Sequence, residues 1–387
     1  MRALVLGKGK SGGASAALLR SCGYDVDFAD RYDLVVASPG LPVKSELQFG
    51  CEELKRQGWK LLAVTGSKGK SSVVKVVADA INLAGWHAVA CGNYGVPVSE
   101  VAFEDGRRET GDADRRWAVV EVSSFMLETT TLPPDTFEAA AILNLQEDHL
   151  DRHGSVEVYH GLKRKLLTMA KLGYCGDETP LPRDGETALW AGSYFDNEIL
   201  AGNAAMAVEL MRVVGLDDAT IAKAFRDFEP LSHRMNLVAE IGGVRYIDDS
   251  KATSLSALAA GVKMAASGRR GLDFRRETSD EPSIRLIAGG LPKGDDPKSV
   301  LSTLTERVKK VYLIGQCAEV FRAAWENGVD CEVCGTMDRA VERAACEAEK
   351  GETVLLSPGT ASFDQFKSFG ERGEVFARLV KEKEKKK

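Results

Sequence analysis

The sequence predicts an α/β protein whose domains are built on parallel sheets. Two observations carry this prediction: a strand, glycine-rich turn and helix at 61–84, and a regular alternation of strands and helices after Pro230. The chain of 387 residues is too long for one average domain. We therefore expect three domains, at 1–58, 59–231 and 232–387.

The N-terminal stretch begins with an apolar run, a turn that contains Gly7, Gly9 and Gly12, and a helical pattern. A further strand is expected at 33–37. This order is typical of a short Rossmann-like domain, and the glycine spacing matches a dinucleotide fingerprint, with Asp27 or Asp30 as the ribose-binding acid. Three interpretations stay open: an NAD site, a related nucleotide or nucleotide-sugar site, or glycines required only by the turn.

The central domain is organised around the sequence LLAVTGSKGKSS. A helix that starts at Lys70 directly after a tight turn presents backbone N–H groups and its positive dipole end to an anion. Lys70 is expected to meet the outer phosphates of a nucleotide, and Ser71 to ligate Mg²⁺. The P-loop pattern is incomplete, because Val64 occupies the position of its first glycine. Gly66 is the glycine that is available instead. The alternative is an ordinary strand–turn–helix corner with a solvated lysine.

On this interpretation the central domain is a P-loop ATPase domain. Its predicted nucleotide-binding loop consists of Thr65, Gly66, Ser67, Lys68, Gly69, Lys70, Ser71 and Ser72. Further strands are expected at 87–91, 117–122 and 139–145, helices at 156–171 and 202–214, a charged surface loop at 107–116 and an irregular stretch at 173–192. The C-terminal domain is predicted to be a Rossmann-like parallel-sheet domain with strands at 244–248, 284–288, 311–314 and 353–356.

Composition and charge exclude several classes of protein. A net charge of -6 argues against a general nucleic-acid binder, and no apolar run reaches the length of a membrane span. The start of the chain lacks the layout of a signal peptide, so we expect a cytoplasmic protein. The eight cysteines form no disulfide or zinc framework, and we expect reduced thiols.

Polar residues follow two of the predicted central strands. Glu121 ends an apolar strand, where a buried acid needs a partner or a function. The segment 144–154, NLQEDHLDRHG, places an asparagine, acids and two histidines directly after the next strand. In open α/β sheets ligands bind in the crevice at the carboxyl ends of the strands. We expect a ligand site there, with Glu121 and Ser71 sharing Mg²⁺.

These blocks, together with several later ones, resemble the Mur ligases, which are ATP-dependent amide-forming enzymes of peptidoglycan assembly. In the order of the family they are VTGSKGKSS, GNYGVPV, EVSSFMLE, NLQEDHLDRHG, HRMN, YIDDSKAT, AGGLPKG and LLSPGTASFDQFKSFGERGEVF. They extend over most of the chain from Leu61 onward. The ordered set is far more specific than any single block.

The resemblance implies site residues in the central domain. Lys70, Glu121, His149 and Lys163 would be catalytic, and Ser71, Glu121, His149 and a carbamylated Lys163 would hold Mg²⁺, with two ions expected. The alternative for Lys163 is a solvated lysine on a helix face. Asn203 would contact the nucleotide, although Leu200 stands where the family has another asparagine. Substrate-binding residues here would be Asn93, Ser123 and Ser124.

In the C-terminal domain the resemblance implies that Arg234 and Asp249 contact ATP. An amino-acid pocket would consist of Lys251, Thr253, Lys293, Ser362, Phe363 and Phe369. The sequence DSKAT followed by SPGTASFDQF implies D-glutamate as the amino acid and UDP-N-acetylmuramoyl-L-alanine as its acceptor. The implied reaction is amide formation through an acyl phosphate. We expect a monomer with small-molecule substrates and without a nucleic-acid or membrane partner.

Three alternatives stay open at this stage. A sibling Mur-type ligase or a folylpolyglutamate-type ligase would share the phosphate loop and the metal residues, and would differ in the amino-acid pocket. A nucleotide-binding regulatory protein could have lost the ligase activity. A P-loop kinase or GTPase lacks support, because the chain shows no guanine signature.

Overall fold

The computed structural model describes residues 1–29, 43–105, 115–179, 182–183, 185–197, 199–266, 283–292 and 294–384. These residues form two compact units, Met1–Phe228 and Glu229–Lys387. The boundary lies close to the expected start of the C-terminal domain at 232. None of the described helices is both long and apolar enough to cross a bilayer.

The N-terminal part of the first unit is a small parallel sheet with one covering helix. Strands β1 (Arg2–Leu6) and β2 (Asp25–Ala29) pair in parallel, and helix α1 (Lys10–Ser21) connects them. A Cβ on Gly12 would lie 2.0 Å from the Gly7 carbonyl oxygen, so this glycine is needed for close packing of the helix on the turn. The expected strand at 33–37 and Asp30 lie outside the described residues.

The rest of the first unit is an α/β layer structure built on a five-stranded parallel sheet. The strand order is β4-β5-β3-β6-β7, so β3 lies at the centre. The strands are β3 (Lys60–Thr65), β4 (His87–Gly92), β5 (Arg116–Glu121), β6 (Phe137–Ile142) and β7 (Ala170–Cys175). The helices are α2 (Glu46–Arg56), α3 (Lys70–Leu83), α4 (Val98–Asp105), α5 (Ser124–Thr129), α6 (Leu150–His153), α7 (Val156–Lys165), α8 (Ala201–Val214) and α9 (Asp218–Arg226).

Three expectations about this unit were wrong. The helix expected at 156–171 ends as α7 at Lys165; a short 3₁₀ helix (Leu166–Met169) follows, and β7 begins at Ala170. The stretch from 173 onward is therefore partly a strand, and it also contains a 3₁₀ helix, Glu186–Leu189. Arg116, expected in a surface loop, begins β5 and is buried. Pairing with a neighbouring strand determined these segments more than local propensity did.

The second unit is built on a six-stranded sheet in the order β12-β11-β10-β13-β9-β8. All pairs are parallel except β8–β9, an antiparallel hairpin whose turn contains Gly242 and Gly243, both at positive φ. The strands are β8 (Asn236–Ile241), β9 (Val244–Asp248), β10 (Ile284–Gly289), β11 (Val308–Ile314), β12 (Asp330–Gly335) and β13 (Thr353–Leu356). The helices are α10 (Leu255–Ala266), α11 (Leu301–Arg307), α12 (Ala318–Trp325), α13 (Met337–Glu347) and α14 (Phe369–Glu384).

The second unit contains all four strands expected from the sequence. It adds the two edge strands β8 and β12, which the sequence interpretation missed. The carboxyl ends of β9 and β13, which pair in parallel, place the loops that follow Asp248 and Leu356 at one edge of the sheet. These are the two loops that carry most of the expected amino-acid pocket.

Candidate active site

The phosphate loop lies between the central strand β3 and helix α3. Gly69 caps α3 with φ 83°, and Gly66 has φ 153°, so both glycines adopt backbone conformations that other residues rarely reach. A Cβ on Gly69 would also lie 2.0 Å from Nδ2 of Asn203. The glycine therefore serves both the turn and the close approach of α8, on which Asn203 lies.

The segment after β6 supports this loop through hydrogen bonds. The Asn144 side chain accepts a hydrogen bond from Lys68 N (2.9 Å) and donates one to Lys68 O (3.0 Å). Its Nδ2 also lies 3.4 Å from Oδ1 of Asn203. Ser67 N donates to the Asn144 carbonyl, and the Ser67 hydroxyl donates to the carbonyl of Gln146. Asn144 and the backbone of Gln146 thus fix the shape of the loop.

Two lysines converge on one carbonyl of the loop. Lys70 Nζ donates to Gly66 O at 2.8 Å, and Lys163 Nζ donates to the same oxygen at 2.9 Å. Lys163 is almost completely buried in α7, and its ammonium lies 4.4 Å from the centre of the Tyr159 ring. The alternative of a solvated lysine on a helix face is therefore excluded.

Burial, followed by the positive charge of Lys70, lowers the pKa of Lys163 to about 7. The carboxylates of Asp148 and Glu121 oppose this shift without cancelling it. Near neutral pH, Lys163 is therefore a neutral amine in a large fraction of the protein molecules. A neutral amine is a nucleophile, whereas an ammonium group is not.

Glu121 lies at the end of β5, in register with Val64 at the start of the phosphate loop. Its Oε1 accepts a hydrogen bond from Nδ2 of Asn93 at 2.7 Å. Its Oε2 is buried and has no hydrogen-bond partner among the described residues, and the same is true of Thr65 Oγ1. Such unpaired buried oxygens are costly, which indicates that a ligand completes the site.

The side chains of Glu121 and Ser71 are chemically suited to a hard cation such as Mg²⁺. Carboxylate and hydroxyl oxygens are its preferred protein ligands, and Glu121 and Ser71 supply one of each. In the part of the chain that the structure describes, no group of three or more His, Cys, Asp or Glu side chains is close enough to hold a metal. A bound Mg²⁺ would take its remaining ligands from the nucleotide and from water.

His149 lies in an aromatic cluster with Phe125 and Tyr159. Its φ of 53° is unusual for a residue other than glycine and places it just before α6. The His149 ring centre is 5.1 Å from that of Phe125 and 6.2 Å from that of Tyr159. Tyr159 in turn donates to the Ser67 hydroxyl at 3.3 Å. The expected role of His149 as a metal ligand stays a prediction.

The two serines that follow β5 have different partners. The Ser123 hydroxyl caps α5 by accepting from Met126 N at 3.3 Å. The Ser124 hydroxyl is 3.0 Å from Nε2 of His153, whose Nδ1 is 3.2 Å from a carboxylate oxygen of Glu128. The sequence interpretation gave His153 no individual role; the second histidine of the NLQEDHLDRHG block was its only signal.

In the second unit, the loop after β9 contains Asp249, which is buried. The Ser357 hydroxyl donates to its Oδ2 at 2.9 Å, and Asp249 N donates to Leu356 O. Burial raises the pKa of Asp249 to about 7, against the opposing effects of Ser357 and of the Arg234 charge. The positive charge of Arg234 thus acts on Asp249, and the expected contact of both residues with ATP stays a prediction.

Two residues of the expected amino-acid pocket, Lys251 and Phe369, are in contact in the second unit. Lys251 Nζ lies 3.9 Å from the centre of the Phe369 ring, a cation–π contact. Ser362 is buried in the loop after β13, whereas the neighbouring Phe363 is 70% exposed. Thr253 is half-buried after Lys251. Lys293 lies outside the described residues, so its expected role stays a prediction.

A second histidine–carboxylate pair, His233 and Asp248, lies close to Lys251. His233, from the HRMN block, has φ 63°, and its Nδ1 is 2.7 Å from Oδ2 of Asp248. The backbone carbonyl of His233 accepts from Lys251 N at 3.0 Å. A Cβ on Gly373 would collide with both the His233 ring and Asp248. The pair therefore lies tightly against α14 and supports the Lys251 loop.

Comparisons with known proteins agree with this geometry. Residues 64–175 match the family model described as the Mur ligase middle domain, and residues 233–359 match that of the Mur ligase, glutamate ligase domain. A protein named UDP-N-acetylmuramoylalanine--D-glutamate ligase from Acidobacterium capsulatum is 31% identical, over 98% of this chain and 96% of the relative. A protein of the same name from Chlamydia abortus is 30% identical, over 99% of this chain and 98% of the relative.

Solved structures share the fold at low sequence identity. MurF ligase from Thermotoga maritima in complex with ADP superposes with a TM-score of 0.62 at 14% identity, covering 100% of this chain and 95% of that one. UDP-N-acetylmuramate-alanine ligase from the same organism gives a TM-score of 0.56 at 14% identity, covering 99% of each chain. The predicted α/β fold with parallel sheets is confirmed. By its full-length relatives and both matched domains, the chain belongs to the Mur ligase family.

Proposed function

We propose that the chain is an ATP-dependent ligase that joins the carboxylate of UDP-N-acetylmuramoyl-L-alanine to the amine of D-glutamate. The observation that carries the proposal is the unpaired, buried Oε2 of Glu121, whose residue pairs in register with Val64 at the start of the phosphate loop. Relatives with the name UDP-N-acetylmuramoylalanine--D-glutamate ligase support the choice of substrates. The reaction is the formation of peptidoglycan precursor by an acyl-phosphate route.

In the first unit, the chain's own groups position and neutralise phosphate oxygens. Backbone N–H groups of the loop at 66–71 and the positive end of α3 face the phosphates, and Lys70 neutralises the outer ones. Ser71 and Glu121 would hold Mg²⁺, which spreads the charge of the transferred phosphoryl group. The substrate carboxylate then attacks the γ-phosphorus in line, and ADP departs. Asn93, Ser123, Ser124 and Asn203 are proposed to border the substrates and the nucleotide.

We propose that Lys163 is carbamylated. Its neutral amine attacks the carbon of CO₂, a proton leaves the nitrogen, and the side chain becomes an anionic oxygen donor that with His149 can hold a second cation. Carbon-13 NMR with labelled bicarbonate should reveal a carbamate signal that Lys163→Ala removes, with most activity lost and not restored by bicarbonate. Turnover like that of the unmodified protein in Lys163→Ala would contradict the proposal.

In the second unit, the proposed pocket recognises an amino acid with two carboxylates. Lys251 and Lys293 provide cations for them, and Thr253 and Ser362 provide hydroxyl donors. Phe369 fixes the ammonium of Lys251 through the cation–π contact, and Phe363 borders the pocket. The amine of D-glutamate attacks the acyl phosphate, and phosphate leaves as the amide forms. Arg234 and Asp249 are proposed to contact ATP.

We also propose three functional domains: residues 1–58 for the UDP substrate, 59–231 for ATP and 232–387 for the amino acid. The protein is expected to act as a cytoplasmic monomer on small-molecule substrates. Light scattering after size-exclusion chromatography checks the oligomeric state, and a dimer mass would contradict the expectation.

Phosphate release from ATP with UDP-N-acetylmuramoyl-L-alanine and a panel of amino acids, including both glutamate enantiomers, tests the reaction. Release should depend on D-glutamate and disappear in Glu121→Gln, which keeps the shape of the side chain but removes its charge. Release with a different amino acid would assign a sibling activity. ATP binding without release for any amino acid would favour a regulatory protein, the class that Leu200 in place of an asparagine keeps open.

A further inference from the structure

Arg372 is a completely buried arginine on the first turn of α14. Fully buried arginines are rare unless they are paired. Among the described residues, no carboxylate lies within ion-pair distance of Arg372, although Asp248 and Asp364 stabilise its charge from farther away. Its guanidinium is satisfied instead by neutral oxygen atoms, and burial lowers its pKa to about 10, so it stays charged near neutral pH.

The hydrogen bonds of Arg372 go to two separate loops. Towards the loop after β9, Nε donates to the Ser250 hydroxyl at 3.0 Å and Nη2 donates to the Ser250 carbonyl at 2.9 Å. Towards the loop after β13, Nη2 donates to Thr360 O at 3.2 Å and Nη1 donates to Ala361 O at 3.3 Å. One side chain thus ties together two loops that are about a hundred residues apart in sequence.

These contacts are adjacent in sequence to the proposed amino-acid pocket. Ser250 precedes Lys251, and Ala361 precedes Ser362. The Ser250 hydroxyl also donates to the Phe369 carbonyl at 2.8 Å, and the ring of Phe369 carries the Lys251 contact. The backbone on both sides of the pocket is therefore held by one guanidinium.

We propose that Arg372 is a positioning residue that sets the separation of Lys251 and Ser362 for the incoming amino acid. The inference rests on the proposed function of that pocket. Arginine suits this role because its planar fork directs donors to both loops at once, whereas a lysine ammonium reaches only one of them. Gly290, which follows β10, allows the loop after β13 to approach closely, since a Cβ there would lie 2.4 Å from Ala361 O and 3.3 Å from Nη1.

Arg285 offers a matched control in the same unit. It is also buried, and it donates to Glu352 at 2.6 Å and to the Tyr312 hydroxyl at 2.9 Å. It pairs in register with Val354 in β13, whereas the pocket loop begins after Leu356 at the carboxyl end of that strand. Replacing Arg285 with lysine removes a buried guanidinium group and leaves the two pocket loops unchanged.

The test measures KM for D-glutamate, KM for ATP and the unfolding temperature in Arg372→Lys and Arg285→Lys. Arg372→Lys should raise KM for D-glutamate about tenfold or more and change KM for ATP less than about twofold. Arg285→Lys should lower the unfolding temperature without a selective change in KM for D-glutamate. Ser250→Ala, a milder change that removes the acceptor of Nε, should raise KM for D-glutamate in the same selective way.

A KM for D-glutamate in Arg372→Lys that equals the wild-type value, or that rises only together with KM for ATP, would overturn the positioning role. If Arg372→Lys does not fold, an unchanged KM in Ser250→Ala would overturn it instead. Absence of D-glutamate turnover in the unmodified protein is a separate outcome: it would overturn the proposed function and the present inference with it.

Discussion

Lys163 is a lysine held in the protein interior by one carbonyl and one aromatic ring. The resemblance to the Mur ligases singled out Lys163, but helical pattern and composition could not distinguish it from its neighbours Arg164 and Lys165, because the three are chemically similar and follow one another in a helix. Only the packing of α7 shows that Lys163 faces inward while Arg164 is exposed. Glu121 was easier to predict, because an acid at the end of an apolar strand already signals a site.

Lys163 makes stability depend on pH in a defined direction. Its pKa falls from 10.5 to about 7 on folding, so between these values the unfolded chain binds the extra proton and stability rises with pH. In buffer free of CO₂, Lys163→Met should lose this rise, which contributes at most about 1.4 kcal/mol per pH unit. Urea unfolding at a series of pH values measures it; an identical rise in the variant would contradict the assigned pKa.

Asp249 should act in the opposite direction. Its pKa rises from 3.8 to about 7 on folding, so between these values the folded protein binds the extra proton and stability falls as pH increases. Asp249→Asn should flatten that fall and retain a hydrogen bond with Ser357. Thermal unfolding between acidic and neutral pH checks this, and a steeper fall in the variant would be incompatible with a buried, neutral carboxyl group.

At the scale of elements, the strand, turn and helix around the phosphate loop could be predicted closely. The helix begins at Lys70 as expected, since the glycines and the helical period fall within one short segment. The edge strands β7, β8 and β12 could not be predicted in the same way. The segment DCEVCG of β12, for example, carries two acids and a terminal glycine, and only its pairing with β11 makes it a strand.

The phosphate loop also gives a test of what its glycine does. Gly69→Ala combines a positive φ with a collision against Asn203, whereas Gly85, just after the same helix, has φ 79° and open space around a Cβ. Gly85→Ala should therefore cost about 1 kcal/mol of stability from backbone strain alone and leave ATP affinity unchanged. Gly69→Ala should weaken ATP binding at least about tenfold, measured by calorimetry.

Equal ATP affinities in the two alanine variants would show that the close approach of Asn203 to the loop has no functional consequence. A loss of affinity in both would indicate that strain at either end of α3 disturbs the site. The expected difference between them reports on the phosphate loop, where a Cβ on Gly69 meets both the turn and Asn203, since the two glycines have similar φ values.

At the scale of the whole molecule, the groups of the proposed reaction are distributed over two compact units. The groups that suit phosphates and a cation lie in Met1–Phe228, and the groups that suit a dicarboxylate amino acid lie in Glu229–Lys387. The sequence predicted this division, because each side of Pro230 has its own strand pattern and its own motif blocks. It could not supply the internal supports of each site, such as the Asn144 side chain under the loop or the Arg372 guanidinium between two loops.

In the proposed reaction, phosphate leaves the acyl phosphate as the amide bond forms, and it carries one oxygen of the substrate carboxylate with it. The most direct measurement is mass spectrometry after incubation with ATP, D-glutamate and UDP-N-acetylmuramoyl-L-alanine labelled with oxygen-18 in the alanine carboxylate. We predict a product heavier by one glutamyl residue, with one labelled oxygen in the released phosphate. Unlabelled phosphate, or no amide product with either glutamate enantiomer despite ATP binding, would contradict the account.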